Sequence, residues 1–413
     1  MYNILVGQSG GPTAVINSSL YGVIKEALET PEKIDKVYGM VNGIEGFLKG
    51  RVIDLAKQSE KQDLSMLRTT PASYLGSCRY KLPGDLADPV YPEIFRKLEE
   101  MEIQAFFYIG GNDSMDTVSK LSRYAAQIGS GIRFLGVPKT IDNDLIMTDH
   151  TPGYGSTAKY VAATLKEIIL DAGVYEHPVV TIVELMGRNA GWVTAAGVLA
   201  RTEYDPNPML VYLPEADFEM DAFLADVRGA LAKQSSVVVC VSEGISDRSG
   251  KFICEYGSDA GVDGFGHKML TGCGKVLEQA VKKEIGCKCR SIEINLPQRC
   301  SAVLSSLTDI EEAQMAGSYA VRAALEGTTG MMITFVRSTD ENGEYTITCG
   351  TEDVNKICNQ EKKFPAEWIT AGGTDIAPEF LDYVKPLVRG ENRVPFEDGI
   401  AQYLKPASFW VAD

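Results

Sequence analysis

The sequence predicts an α/β protein built on parallel sheets with helices on both faces, divided into two domains. Three observations carry this. Apolar runs of strand length alternate with helix-length segments along the chain. The runs are almost continuously apolar, as strands covered on both faces must be. The 413 residues exceed the ~250–300 at which a single core stops growing.

The elements follow in order. "NILVG" (3–7) reads as a strand and "AVINSSLYGVIKEALE" (14–29) as its helix. "AFFYIGG" (105–111) precedes the helix-like "SMDTVSKLSRYAAQI" (114–128). "IRFLGVPK" (132–139) is a third strand, and a helix is expected from about Ser156 to Ala172. "PVVTIVELMG" (178–187) leads into "AGWVTAAGVLAR" (190–201), expected as a helix. "PMLVYLPE" and "SSVVVCVSEG" add further strands. From about 340 the character changes. "STDENGEYTITCGTED" reads as a polar hairpin with Asn342–Gly343 at its turn.

Composition narrows the function. The formal net charge is −16, which argues against nucleic acid or an anionic membrane as partner. An anionic substrate would need a local cationic pocket. Nine scattered cysteines and three histidines read as reduced thiols and leave little for a zinc site. The first residues enter an apolar strand without a basic leader, and no apolar run approaches the ~20 residues of a membrane helix. The expected location is the cytoplasm.

Ligands of such sheets bind at the carboxyl ends of strands, and the unusual residue clusters sit there. In "GQSGGPTAVIN" (7–17), Gly10 and Gly11 open a helix, and glycines let backbone N–H groups approach an anion. The same residues also suit a tight turn with no ligand. "IGGNDSMD" (109–116) repeats the device with Asn112 and Asp113 at the helix start. "GVPKTIDNDL" (136–145) places Lys139, Asp142 and Asp144 just past a strand, as a general base or metal carboxylate would be, or as an Asx-turn with a cap. "HTPGYGSTAKY" (150–160) imitates a dinucleotide fingerprint but lacks the preceding strand. "ELMGRNAGW" (184–192) offers Arg188 as a planar fork for phosphate or carboxylate. "VSEG" adds Glu243, and "CRSIEINLPQRC" (289–300) adds Arg290 and Arg299, either of which also suits an ordinary surface. No Walker A pattern occurs. Glycine turns, arginines and aspartates together suit phosphoryl transfer to a hydroxyl.

The blocks "QSGGPTAVIN", "YLGSCR", "IGGNDS", "PKTIDND", "ELMGR", "VSEG" and "LPQR" resemble, in this order, the phosphofructokinase family over roughly residues 3–330. The resemblance implies two Rossmann-like parallel-sheet three-layer domains with the active site in the cleft between them. It implies a diphosphate domain from 1–152 plus about 300–345, and a fructose 6-phosphate domain over 153–299. Residues 346–413 would be a C-terminal extension packing on both. It implies transfer to the 1-hydroxyl of fructose 6-phosphate with Mg²⁺. Asp142 resembles the base. Thr140, Ile141 and Asp142 would line the sugar, with Asp144 assisting through the metal or its waters. Met186, Gly187, Arg188 and Arg299 would hold the sugar phosphate and sugar, and Glu243 the sugar hydroxyls. Arg290 is similar to an arginine that reaches a neighbouring subunit, so a homodimer or homotetramer is implied. Gly10, Gly11 and Arg79 would face the transferring phosphoryl group.

Two positions resemble the pyrophosphate-dependent branch. ATP-using members carry glycine where this chain has Asp113 and Lys139. Asp113 would occupy the α-phosphate's place, where like charges at ~4 Å repel by about 4 kcal/mol at an effective dielectric of 20. Lys139 would reach the diphosphate and stabilise charge spreading over its oxygens. Asn112 stands where many members have an aspartate ligating the metal, Leu296 where bacterial ATP users have a histidine, and Val179 where an intersubunit arginine is expected. An ATP-dependent enzyme on the same scaffold and a noncatalytic sugar-phosphate-binding subunit are the two alternatives.

Overall fold

Seven strands form one sheet and four form another in the computed structural model, which describes residues 2–257 and 272–411. The last two residues of the expected C-terminal extension, and residues 258–271 within the expected sugar domain, lie outside the described residues. The large sheet uses β1 (Tyr2–Gln8), β2 (Ile34–Met40), β3 (Val52–Asp54), β4 (Ile103–Gly110) and β5 (Arg133–Pro138). The small one uses β6 (Val179–Leu185), β7 (Leu210–Tyr212), β8 (Ser236–Ser242) and β9 (Lys288–Glu293). The chain then returns to the large sheet with β10 (Met331–Thr339) and β11 (Tyr345–Asp353). The orders are β11-β10-β5-β4-β1-β2-β3 and β7-β8-β6-β9.

Every pairing in the small sheet is parallel. So are those among β2, β1, β4, β5 and β10. Only the edges, β2–β3 and β10–β11, are antiparallel. The apolar runs earned these central places: every residue of β6 and β8 is buried. The expected hairpin forms, with Gly343 at φ +80° in its turn. Its second strand carries the large sheet on to Asp353, past the boundary expected near 345.

Numbering the helices longer than ten residues, these are α1 (Ile16–Leu28), α2 (Val90–Glu100), α3 (Asn112–Ile128), α4 (Tyr154–Ala172), α5 (Met220–Leu231), α6 (Cys273–Glu284) and α7 (Leu307–Leu325). Apolar cores lie on both faces of each sheet. Burial on this scale is the main term holding such layers together. α1 and α7 touch backbone to backbone: a Cβ on Gly22 would lie 2.0 Å from the Gln314 carbonyl, and one on Gly317 2.0 Å from that of Ser19. The segment expected as one helix over 190–201 is instead a short α-turn, Trp192–Ala195, tightening into a 3₁₀ turn, Ala196–Ala200. There Gly197 is wedged against Cys240 and Leu165.

The chain beyond β11 packs on both sheets. Phe364, Phe380, Val384 and Leu387 join the core beside α4 and Trp192, while Ala407 joins the core beneath α1. Among the described residues, no helix is long and apolar enough to cross a membrane.

Candidate active site

The carboxyl ends of β1, β4, β5, β6 and β8 converge on a cleft of about 1010 Å³. The first turn is held from beneath. Gln8, fully buried at the end of β1, donates from Nε2 to Asn17 Oδ1 (2.9 Å) and accepts the Leu75 N–H (2.9 Å). Asn17 Oδ1 also accepts the Tyr74 N–H, and Ser77 Oγ donates to the Gly10 carbonyl at 2.7 Å. These bonds bring the "YLGSCR" segment against the glycine turn. Gly10 has φ +76°, and a Cβ there would lie 3.4 Å from Lys139 Nζ. A Cβ on Gly11 would lie 3.3 Å from the Arg299 guanidinium. The glycines therefore leave room for an anion between two cations.

β4 ends at Gly110, where a Cβ would lie 1.9 Å from Ser114 Oγ. This packing starts α3 at Asn112, with the exposed Asp113 in its first turn. The Lys139 N–H donates to the Gly110 carbonyl at 3.0 Å, fixing the end of β5 beside it. Lys139 is 3% exposed and donates from Nζ to the Gly11 carbonyl at 2.6 Å. The loop that follows carries Thr140, Ile141, Asp142 and Asp144. Thr140 Oγ1 accepts the Asp142 N–H (3.1 Å). Asn143 is buried at φ +53°, its Oδ1 accepting the Thr151 N–H (3.1 Å) and its Nδ2 donating to the Tyr383 hydroxyl (2.8 Å).

From the small sheet, the Glu243 N–H donates to the Leu185 carbonyl (2.9 Å), and Ser242 Oγ donates to the Gly187 carbonyl. Gly187 adopts φ +133°, donates its N–H to Glu243 Oε1 (3.4 Å), and has no room for a Cβ beside the Ala190 carbonyl (2.6 Å). Gln298, beside Arg299 in a short turn of helix, accepts the Met186 N–H at 3.2 Å.

Burial dominates the electrostatics. It pushes the Asp142 carboxyl up to about 7, with neighbouring Asp144 adding to it and Lys139 opposing. Burial, assisted by Asp142, raises Glu243 to about 8. Burial lowers the Lys139 ammonium to about 8 against the pull of Asp142 and Asp144. The cleft wall carries Lys81, Lys139, Arg188, Arg299 and Lys363 as cations, against Asp113, Asp142, Asp144, Glu243 and Glu361. An anion can be held there in spite of the chain's overall charge.

Gly10, Gly11, Asn112, Asp113, Lys139, Thr140, Ile141, Asp142, Asp144, Met186, Arg188, Glu243 and Arg299 all line this one cleft. Gly187 supports it from behind. Arg79 is close enough to Arg299 for the two cations to repel. Arg290 is not brought in: on β9, it lines a separate hollow of about 260 Å³ with Glu167 and Asp171, its NH1 3.5 Å from Asp171. The sequence reading missed Lys81, Asn189, Asn359, Glu361 and Lys363. The last three come from the segment after β11, which has no glycine turn to flag it.

Residues 3–363 match the phosphofructokinase family model. The chain belongs to the phosphofructokinase family. It is 38% identical over 410 residues to the pyrophosphate–fructose 6-phosphate 1-phosphotransferase of Halomonas elongata, covering 98% of this chain and 96% of that one. It is 39% identical over 414 residues to the protein of the same name from Xanthomonas campestris, covering 99% and 97%. The crystal structure of a pyrophosphate-dependent phosphofructokinase from Nitrosospira multiformis superimposes with a TM-score of 0.87 at 35% identity, covering 97% of this chain and 95% of that one. The family's fold accounts for the two mainly parallel sheets, and these matches extend well beyond β11, taking in the segment that supplies Asn359, Glu361 and Lys363.

Proposed function

We propose that the chain is a pyrophosphate-dependent phosphofructokinase. It transfers a phosphoryl group from diphosphate to the 1-hydroxyl of fructose 6-phosphate, giving fructose 1,6-bisphosphate and phosphate. One observation carries this choice of donor. Lys139 and Asp113 face the same cleft from adjacent strand ends, the ammonium tied to the Gly11 carbonyl and the carboxylate exposed at the start of α3. The pair welcomes a bare diphosphate and repels a nucleotide α-phosphate.

The sugar phosphate is held by Arg188 and Arg299, and by Arg290 from a neighbouring subunit. Thr140, Ile141, Met186 and Gly187 position the sugar, and Glu243 bonds its hydroxyls. Gly10, Gly11, Lys139 and Arg79 hold the diphosphate. Asp142 accepts the proton of the 1-hydroxyl, a task suited to a carboxyl raised to about 7. The oxygen attacks the nearer phosphorus in line, the anhydride P–O bond breaks, and phosphate leaves with the electron pair. Lys139 and Arg79 stabilise the charge that spreads over the oxygens.

The residues fit a magnesium ion brought in with the diphosphate. Among the described residues, Asn112 Oδ1 is buried without a hydrogen-bond partner, and no group of three carboxylate, histidine or cysteine side chains forms a metal cage. Mg²⁺ usually keeps several waters and binds substrate phosphates with only one or two protein ligands. Asn112 would hold it or one of its waters, with Asp144 acting on the waters. When bound, it neutralises charge on the diphosphate oxygens.

As in the pyrophosphate-dependent branch of the family, the step is expected to run near equilibrium, so that flux serves glycolytic and gluconeogenic directions alike. Nine unpaired thiols fit a reducing cytoplasm. The deciding experiment compares turnover with diphosphate and with ATP as sole donor. Diphosphate is expected to support it; robust turnover with ATP would refute the reading of Asp113 and Lys139.

A further inference from the structure

Lys362 belongs to none of the phosphate or sugar motifs, yet it touches the loops of both sheets. Its N–H donates to the Asp144 carbonyl at 2.7 Å, on the loop after β5. Its own carbonyl accepts from Trp192 Nε1 at 3.1 Å, past the end of β6. Its Nζ donates to the Asp149 carbonyl (2.7 Å), the Thr148 carbonyl (3.2 Å) and Asn143 Oδ1 (3.4 Å), and lies 5.1 Å from the Trp192 ring centroid. Asn143 is the left-handed residue between Asp142 and Asp144. A charged donor to its side chain and to the carbonyls behind it holds a backbone conformation that would otherwise relax.

The residues on either side fasten the same strand to the other wall. Asn189 Nδ2 donates to Glu361 Oε1 at 2.7 Å, and Lys363 Nζ donates to the Asn189 carbonyl at 2.5 Å. Glu215 Oε1 accepts N–H groups from both Phe364 (2.8 Å) and Gly191 (2.9 Å). Segment 361–364 is thus stitched to the loop carrying Arg188 along its length, and to the loop carrying Asp142 through Lys362.

We propose that Lys362 is a positioning residue, locking the loop that carries Asp142 in register with the loop that carries Arg188, so that the base meets a sugar held from the other sheet. Displacements of about 1 Å between reacting groups can cost on the order of 10²-fold in rate. The inference rests on Asp142 being the base.

A double-mutant cycle on the full-length enzyme tests it, using Lys362→Met, Asp142→Asn and their combination with diphosphate and fructose 6-phosphate as substrates. Lys362→Met keeps the stem and removes the ammonium. It is expected to lower kcat by roughly 30- to 100-fold with the diphosphate KM changed less than about threefold. On the Asp142→Asn background the same change is expected to lower the residual kcat by less than about threefold, because the group through which Lys362 acts is already gone. Effects that multiply would overturn the proposal. If Lys362→Met fails to fold, Lys362→Gln, which also removes the charge, takes its place in the cycle with the same non-additivity expected. Full kcat in Asp142→Asn alone would instead refute the base assignment and the route through it.

Discussion

Lys139 and Gly11 are tied by a 2.6 Å hydrogen bond from ammonium to carbonyl, although 128 residues separate them. The bond lies over the glycine turn, at the end of the cleft proposed to take the phosphoryl donor. Asp113→Gly with Lys139→Gly should therefore open it. The double variant should admit some ATP, while kcat/KM with diphosphate falls by about 10²–10³-fold, the size of losing a charge-stabilising donor. Steady-state kinetics with each donor measures this. Unchanged diphosphate use would show that Lys139 does not contact the donor.

Asp142 gives a mutation and a pH signature. Asp142→Asn should lower kcat by about 10²–10⁴-fold with a small change in the fructose 6-phosphate KM. Burial raises the carboxyl to about 7, and it accepts a proton only when ionised. In the native enzyme kcat/KM should rise with pH through about 7. It should fall again as the Lys139 ammonium, lowered to about 8, loses its proton. A pH–rate profile whose acid limb survives in Asp142→Asn would contradict this.

Arg290 lies outside the cleft of its own chain, so the role proposed for it requires a second subunit. Arg290→Ala should raise the KM for fructose 6-phosphate. Mixing inactive Asp142→Asn chains with Arg290→Ala chains should restore activity, because one site of each mixed dimer is then complete. In a randomly reassembled dimer that is about a quarter of native activity. No recovery after refolding the chains together would argue that Arg290 does not cross an interface.

A stability signature lies away from the chemistry. His150 is buried between Asp149 (2.8 Å) and Glu312 (2.7 Å), and Glu312 also accepts the Tyr345 hydroxyl (2.6 Å). Burial opposes the imidazolium, but the two carboxylates outweigh it and raise the pKa above 6.5. A raised histidine stabilises the fold in full below its unfolded value of about 6.5, and that contribution fades as pH rises through the folded value. Glu312→Gln should lower stability by about 1–3 kcal/mol near pH 6, since it removes one of the two carboxylates that face the buried imidazolium while Asp149 remains. The loss should shrink at higher pH. Urea titrations at several pH values would test the trend; a penalty that grows with pH would sink it.

Much of the site was legible because phosphate chemistry writes itself into local sequence. Gly10–Gly11, Gly110–Gly111 and Gly187 mark strand ends where backbone must approach a ligand or a neighbouring chain, and the charged residues beside them fall in the cleft. The parallel sheets were legible for a related reason, since β6 and β8 are buried throughout and mostly apolar. What stayed hidden depends on distant contacts. Asn359, Glu361, Lys362 and Lys363 follow a hairpin and have no periodicity or turn chemistry of their own. Their importance comes from where Asp116, Asp144, Asn189 and Trp192 meet them. Within the tightened 192–200 turn Gly197 is likewise pressed on Cys240, a contact that no local propensity encodes.

The return of β10 and β11 to the first sheet has a consequence for biogenesis. β5 ends at Pro138 and its neighbour β10 begins at Met331, so that flank stays open while nearly two hundred intervening residues are made. At about 5–20 residues per second on the ribosome, this is a wait of tens of seconds. The four-stranded sheet, completed by Glu293, emerges whole in that interval and can fold first. The part of the chain made earliest is thus among the last to be finished, and chaperones have most reason to guard the nascent polypeptide along β5.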